Sequence, residues 1–104
     1  MRIAYSVIRE IHNKNFLPQG KDYGLNPYEF VRLVRHLEEL GYIERVLIID
    51  DEVRLGPARI TEKGRELIKT HTKYEEDYPF KRENLKKWIA AVEKEQYSNG
   101  AEEG

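Results

Sequence analysis

Apolar residues recur at helical spacing near the start of the chain. Ile3, Ala4, Val7, Ile8 and Ile11 form one stripe, and Arg2, Arg9, Glu10 and Lys14 lie mostly off it. This pattern predicts an amphipathic helix from about Ile3 to Lys14 with one face turned inward. Asn13, Asn15, Pro18, Gly20 and Gly24 break the pattern and leave room for one helical turn between Pro18 and Tyr23. Asn26-Pro27 opens the clearest element. Asn26 suits an N-cap, Pro27 suits the first helical position, and Phe30, Leu33, Val34, Leu37 and Leu40 make the apolar stripe. Gly41 supplies a left-handed stop.

Tyr42 to Ile49 is rich in β-branched and aromatic residues and reads as a strand. Asp50-Asp51-Glu52 reads as a turn, Val53-Arg54-Leu55 as the returning strand, and Gly56-Pro57 as its stop. Val46, Leu47, Ile48 and Ile49 are apolar without alternation, so the hairpin is expected to be covered on both faces. The C-terminal segment or a second subunit would provide that cover. Thr61 caps a further helix, with Glu62 at its positive end and Leu67 and Ile68 pointing inward. Gly64, early in that helix, costs about 1 kcal/mol against Ala, and such a glycine often marks a close backbone approach. Residues 1–71 read as one domain and 72–81 as a linker. Residues 82–97 read as a C-terminal amphipathic helix with Leu85, Trp88, Ile89 and Val92 on one stripe, and 98–104 as a flexible tail.

The chain has 104 residues, which is room for one small domain. Lys and Arg number 18 against 19 Asp and Glu, a net charge of −1. This excludes the global polycation of a non-specific nucleic-acid binder but allows a local basic face. Cysteine is absent, which excludes disulfide staples, thiol catalysis and thiolate metal sites. Arg9 and Glu10 fall where a signal peptide needs apolar residues, and no apolar run approaches the roughly 20 residues of a membrane span. The expectation is a cytoplasmic protein with no membrane partner.

Helix, short break, helix, β-hairpin, helix is the element order of a winged helix-turn-helix. Leu40-Gly41-Tyr42-Ile43 ends a helix and starts a strand as winged-helix regulators commonly do. Ile60-Thr61-Glu62-Lys63-Gly64-Arg65 resembles the run that follows the wing in MarR-like and PadR-like groups. The longer run Leu55-Gly56-Pro57-Ala58-Arg59-Ile60-Thr61-Glu62-Lys63-Gly64 resembles, more particularly, the YjcQ-type family of small winged-helix proteins from Gram-positive bacteria and their phages. The likeness extends from about Ile3 to Trp88 and includes Lys87-Trp88-Ile89. It implies an α+β fold: a winged helix-turn-helix with a three-helix core, a β-hairpin wing and an additional C-terminal helix. It also implies a DNA-binding role as a small transcriptional regulator of bacterial or phage origin. Fold alone does not fix function.

On that reading, Asn26 to Leu40 is the recognition helix, and Tyr28, Glu29, Arg32, Arg35 and His36 face the major groove. Arginine grips phosphate or guanine edges, Glu accepts from cytosine, and Tyr bonds phosphate. Arg45 and Arg54 would flank the wing as phosphate contacts. The bland alternative is a solvated helix face, because Glu29–Arg32 and Arg35–Glu39 have the spacing of surface ion pairs. The acidic wing tip works against DNA. Residues 1–71 carry 12 basic and 11 acidic side chains and residues 72–104 carry 6 and 8. A monomer so balanced binds DNA weakly, which is a reason to expect a homodimer if double-stranded DNA is the partner.

The second function is a protein–protein interaction module, for example a phage protein engaging a host factor. Its surface would be Val46 and Ile48, or the Leu85, Trp88, Ile89 and Val92 stripe, which would also serve as a dimer seam. Packing of that stripe on its own domain is the competing reading. Asp50-Asp51-Glu52 lacks the spacing of a calcium loop, and His12, His36 and His71 have no metal-ligand spacing. Ser6, Thr61, Thr70, Thr72 and Ser98 sit in no nucleophile motif. No enzyme, cofactor or metal is expected.

Overall fold

The computed structural model describes residues 2–90. Their arrangement is mixed α+β: helices packed together with two small antiparallel two-stranded sheets. Helix α1 spans Arg2–Asn13 and is followed by a 3-10 turn, Gly20–Tyr23. Helix α2 spans Pro27–Glu39. Asn26 caps it through its side chain and Glu29 returns the bond, a reciprocal box that Asn26-Pro27-Tyr28-Glu29 encodes. Gly41 ends α2 at φ 86°. The Tyr42 N–H reaches the Leu37 carbonyl oxygen at 3.1 Å and the Gly41 N–H that of Glu38 at 3.0 Å, so these two carbonyls of the last turn of α2 are satisfied.

The expected single hairpin is two separate ladders. Strand β1 (Ile43–Glu44) pairs with β4 (Arg59–Ile60), a strand not anticipated, and β2 (Leu47–Ile49) pairs with β3 (Glu52–Arg54). Arg45, at φ 63°, bends the chain between β1 and β2. The turn is tighter than expected. Ile49 faces Glu52 across the ladder, so only Asp50 and Asp51 form the tip, at φ 52° and 61°. Two left-handed residues make the turn that matches strand twist, and Asp tolerates that region well. Glu52 belongs to the return strand.

Helix α3 (Glu62–Thr70) begins at the Thr61 cap. The Thr61 hydroxyl donates to the Gly41 carbonyl oxygen at 2.5 Å and accepts from the Gly64 N–H at 3.1 Å. It therefore fastens the end of α2 to the start of α3. Gly64 is needed at this crossing, since a Cβ there would overlap the Tyr42 carbonyl oxygen.

Three expectations fail. First, α1 is buried on two faces: Tyr5, Ser6 and Glu10 are enclosed along with Val7, Ile8 and Ile11. Second, residues 72–81 are packed structure. They carry α4 (Thr72–Glu76), and Tyr74 and Tyr78 lie against the core. The chain then makes a 3-10 turn, Arg82–Asn84, and runs into helix α5, residues 85–90. The rest of the expected helix 82–97 and the tail 98–104 lie outside the described residues. Third, the hairpin is covered on one face only. Leu47 and Ile49 are about half exposed (48 and 49 %), whereas Val46 and Ile48 are half-buried.

The C-terminal segment covers α1 instead, and polar chemistry holds it there. The Tyr78 hydroxyl donates to Glu10 Oε2 at 2.6 Å, and the Tyr5 hydroxyl donates to Glu75 Oε1 at 2.5 Å. Ser6 Oγ lies 2.9 Å from both the Tyr23 and Tyr78 hydroxyls. Burial pushes the Tyr5, Tyr23 and Tyr78 hydroxyls up, so all three stay neutral and serve as hydrogen-bonding groups. Arg2 lies over the Trp88 ring at 4.6 Å and donates to the Trp88 carbonyl oxygen at 2.9 Å. The Trp88 indole N–H in turn donates to Asp77 at 3.0 Å.

Candidate nucleic-acid interface

Helix α2 divides its side chains cleanly. Phe30, Val34 and Leu37 are buried, and Tyr28, Arg32, Arg35 and His36 are exposed. The exposed four fall at i, i+4, i+7 and i+8, one face of a 3.6-residue helix. They are carried on a rigid element: α2 is capped at both ends and packs against the 3-10 turn, β1 and β3. Along this face Arg32, Arg35 and His36, with Leu33 and flanked by Glu29 and Glu39, line a shallow groove.

The surface ion pairs that would make this an ordinary solvated face do not form. Among the described residues neither Arg32 nor Arg35 has a carboxylate within ion-pair distance. Glu29 is committed elsewhere: its Oε1 accepts from the Asn26 N–H at 2.9 Å, and its own N–H donates to Asn26 Oδ1 at 2.8 Å. That box is worth about 1 kcal/mol to the helix start, so a role for Glu29 at a base edge competes with its capping bond. The asparagine-to-glutamate spacing was the signal in the sequence for this second role.

The hairpin contributes unevenly. Arg45 is exposed at the bend between β1 and β2 and, among the described residues, has no ion-pair partner. Arg54 is exposed and sits 3.6 Å from Glu52 on its own strand. Val46 donates its N–H to Glu38 at 3.3 Å, which ties the hairpin root to the end of α2. The tip folds toward the other end of that helix: Asp50, Asp51 and Glu52 share a cleft with Lys21, Pro27 and Phe30. The acidic tip therefore lies on the side of the α2 N-terminus.

The residues read as a second interface are placed differently. Leu85, Trp88 and Ile89 are buried within the chain (1, 7 and 8 % exposed), so this stripe is core and not a free seam. Val92 lies outside the described residues. Val46 and Ile48 are half-buried, because strand alternation turns Leu47 and Ile49 outward. Among the described residues no group of three or more His, Asp or Glu side chains is arranged to hold a metal. No helix among them is long and apolar enough to cross a membrane.

The chain is similar to a protein of Bacillus subtilis (strain 168) named "Uncharacterized protein YjcQ". The two are 31% identical over 91 residues, a stretch covering 85% of this chain and 95% of the relative. No family model matches the chain. No solved structure matches it either.

Proposed function

We propose that this chain, which belongs to the YjcQ family, is a winged-helix protein that binds double-stranded DNA through the outer face of α2. The relative's name assigns no activity, so the proposal rests on the face itself. The observation that carries it is that Arg32 and Arg35 project from one face of a doubly capped helix with no carboxylate partner among the described residues. Two unpaired guanidiniums one turn apart suit phosphate or guanine contacts. Tyr28 and His36 extend the face toward each helix end, and Arg45 adds a charge at the hairpin root. In this reading β2 and β3 form the wing, α2 is the recognition helix, and the protein is a small cytoplasmic transcriptional regulator of bacterial or phage origin.

The acidic tip limits the geometry. Asp50 and Asp51 repel phosphate, so the tip stays clear of the backbone and Arg54 is partly offset by Glu52. So few cations per chain give weak binding, and a homodimer on two half-sites would double them. The test is the double substitution Arg32→Ala with Arg35→Ala. Both side chains are exposed, so the melting temperature should hold while duplex binding drops at least tenfold. Unchanged binding would remove α2 from the interface.

A protein partner is the second reading. The exposed Leu47 and Ile49 beside an acidic tip favour it. Leu47→Ser with Ile49→Ser should then abolish capture of that partner and leave duplex binding unchanged.

A further inference from the structure

Away from the α2 face, the C-terminal half of α1 and the segment around Tyr78 border a half-open cavity of about 600 Å³. Its walls include Arg9, Glu10, Glu75, Tyr78, Phe80 and Arg82, and none of its lining comes from α2. Three features of these walls are unexplained by the fold.

The first is charge. Arg9 is clasped by two carboxylates: its Nη1 donates to Glu10 Oε2 at 2.6 Å and its Nε donates to Glu75. Arg82 is matched by Asp22, through bonds of 2.7 and 2.8 Å. The lining itself is balanced, Glu10 and Glu75 against Arg9 and Arg82; only with Asp22, which stands behind Arg82 and outside the lining, does the cluster hold three carboxylates to two guanidiniums, a formal excess of one negative charge. The second is an orphan acceptor. Glu10 is 1 % exposed, its Oε2 accepts from both Arg9 and Tyr78, and its Oε1 has no hydrogen-bond partner among the described residues. Buried carboxylate oxygens are ordinarily paired. The third is an idle aromatic. Arg9 lies 3.9 Å over the Tyr78 ring and Arg82 4.5 Å over the Phe16 ring, whereas Phe80 is fully exposed and, among the described residues, has no cation over it.

We propose that this cavity binds a small organic monocation, an ammonium group on a compact aromatic or aliphatic body. The ammonium donates to Glu10 Oε1 and cancels the excess charge. The body lies against Phe80, which supplies apolar area and a π-face for the cation. Oε1 is shielded from solvent, so the wall must give to admit the ligand. The inference is independent of DNA binding, and its test contains no nucleic acid.

The probe is 2-phenylethylamine, titrated into the full chain and followed by backbone amide shifts. The neutral analogue 2-phenylethanol and the anion phenylacetate serve as comparisons. Saturable shifts confined to residues 9–10 and 75–82 are expected, with the amine bound at least tenfold more tightly than the alcohol and the anion not at all. Glu10→Gln should erase the preference for amine over alcohol. Phe80→Ala should weaken the amine about fivefold with no change in melting temperature, because Phe80 supports no core. If Glu10→Gln does not fold, the ligand comparison and Phe80→Ala decide alone. Equal binding of amine and alcohol, no saturation at millimolar amine, or a Phe80→Ala chain that binds like the wild type would overturn the proposal.

Discussion

The Tyr78 hydroxyl donates a 2.6 Å hydrogen bond to the carboxylate of Glu10, joining residues 68 apart in sequence. Tyr78 sits in the stretch that joins the hairpin-bearing part of the chain to α5, and Glu10 sits on the buried second face of α1. The bond is charge-assisted and shielded, so its loss is costly. Tyr78→Phe keeps the ring beneath Arg9 and removes the hydroxyl, and with it both the donor to Glu10 and the hydrogen bond to Ser6 Oγ. It should lower unfolding free energy by about 1.5–3 kcal/mol. Chemical denaturation checks this, and a loss under 0.5 kcal/mol would mean that the C-terminal segment is not fastened through this bond.

Gly64 gives a prediction in which two effects oppose each other. Alanine improves helix propensity by about 1 kcal/mol over glycine. It also drives a Cβ into the Tyr42 carbonyl oxygen, a backbone atom that β1–β4 pairing and the Thr61 N–H hold in place. Overpacking of this kind costs about 1–3 kcal/mol, and rigid backbone on both sides puts it at the upper end. Gly64→Ala should therefore lower the melting temperature. A raised melting temperature would show that propensity wins and that α3 can move away from β1.

Glu75 makes stability pH-dependent. Burial pushes its carboxyl up, but hydrogen bonds from Arg9 and Tyr5 and the Arg9 charge outweigh burial, and the net shift is below the usual 4.5. A depressed folded value means that the contribution is complete above the unfolded value and is lost as pH falls through the folded one. Glu75 is 42 % exposed at its side chain, so solvent screening keeps the contribution to about 1 kcal/mol or less. The stability gap between wild type and Glu75→Gln should be constant near neutral pH and close below about pH 4. A gap that stays open in acid would place the cost elsewhere than in the ionised carboxylate.

The helices were legible because their signals are local. The α2 cap, its apolar stripe and its glycine stop all lie within Asn26 to Gly41, and Thr61 with Gly64 announces the start of α3. The sheet was less legible. Nothing near Arg59 and Ile60 marks them as the partner of β1, a pairing set by the turn of the chain at Gly56-Pro57 and by the fit of α3 beneath Tyr42. The run Val46 to Ile49 misled because continuous apolarity suggests cover on both faces, while the fold leaves Leu47 and Ile49 in water. Glu10 misled in the opposite sense. A charged residue off the apolar stripe reads as solvent-facing, and its burial depends on Tyr78 and Arg9 arriving from distant or flanking positions. The α2 face was legible as a set of residues, but only the structure distinguishes Glu29 as a cap from Arg32 and Arg35 as charges unpaired among the described residues.

The central claim is that α2 presents its arginines to DNA. A salt series of binding to mixed duplex DNA, followed by fluorescence anisotropy, tests it most directly. Each phosphate neutralised adds about −0.9 to the slope of log affinity against log salt. Arg32, Arg35 and Arg45 together predict a slope of roughly −2 to −3 per chain, doubled in a dimer. Loss of Arg32 and Arg35 should reduce it by about 2 per chain. No binding at low salt, or a slope indifferent to both substitutions, would contradict the account.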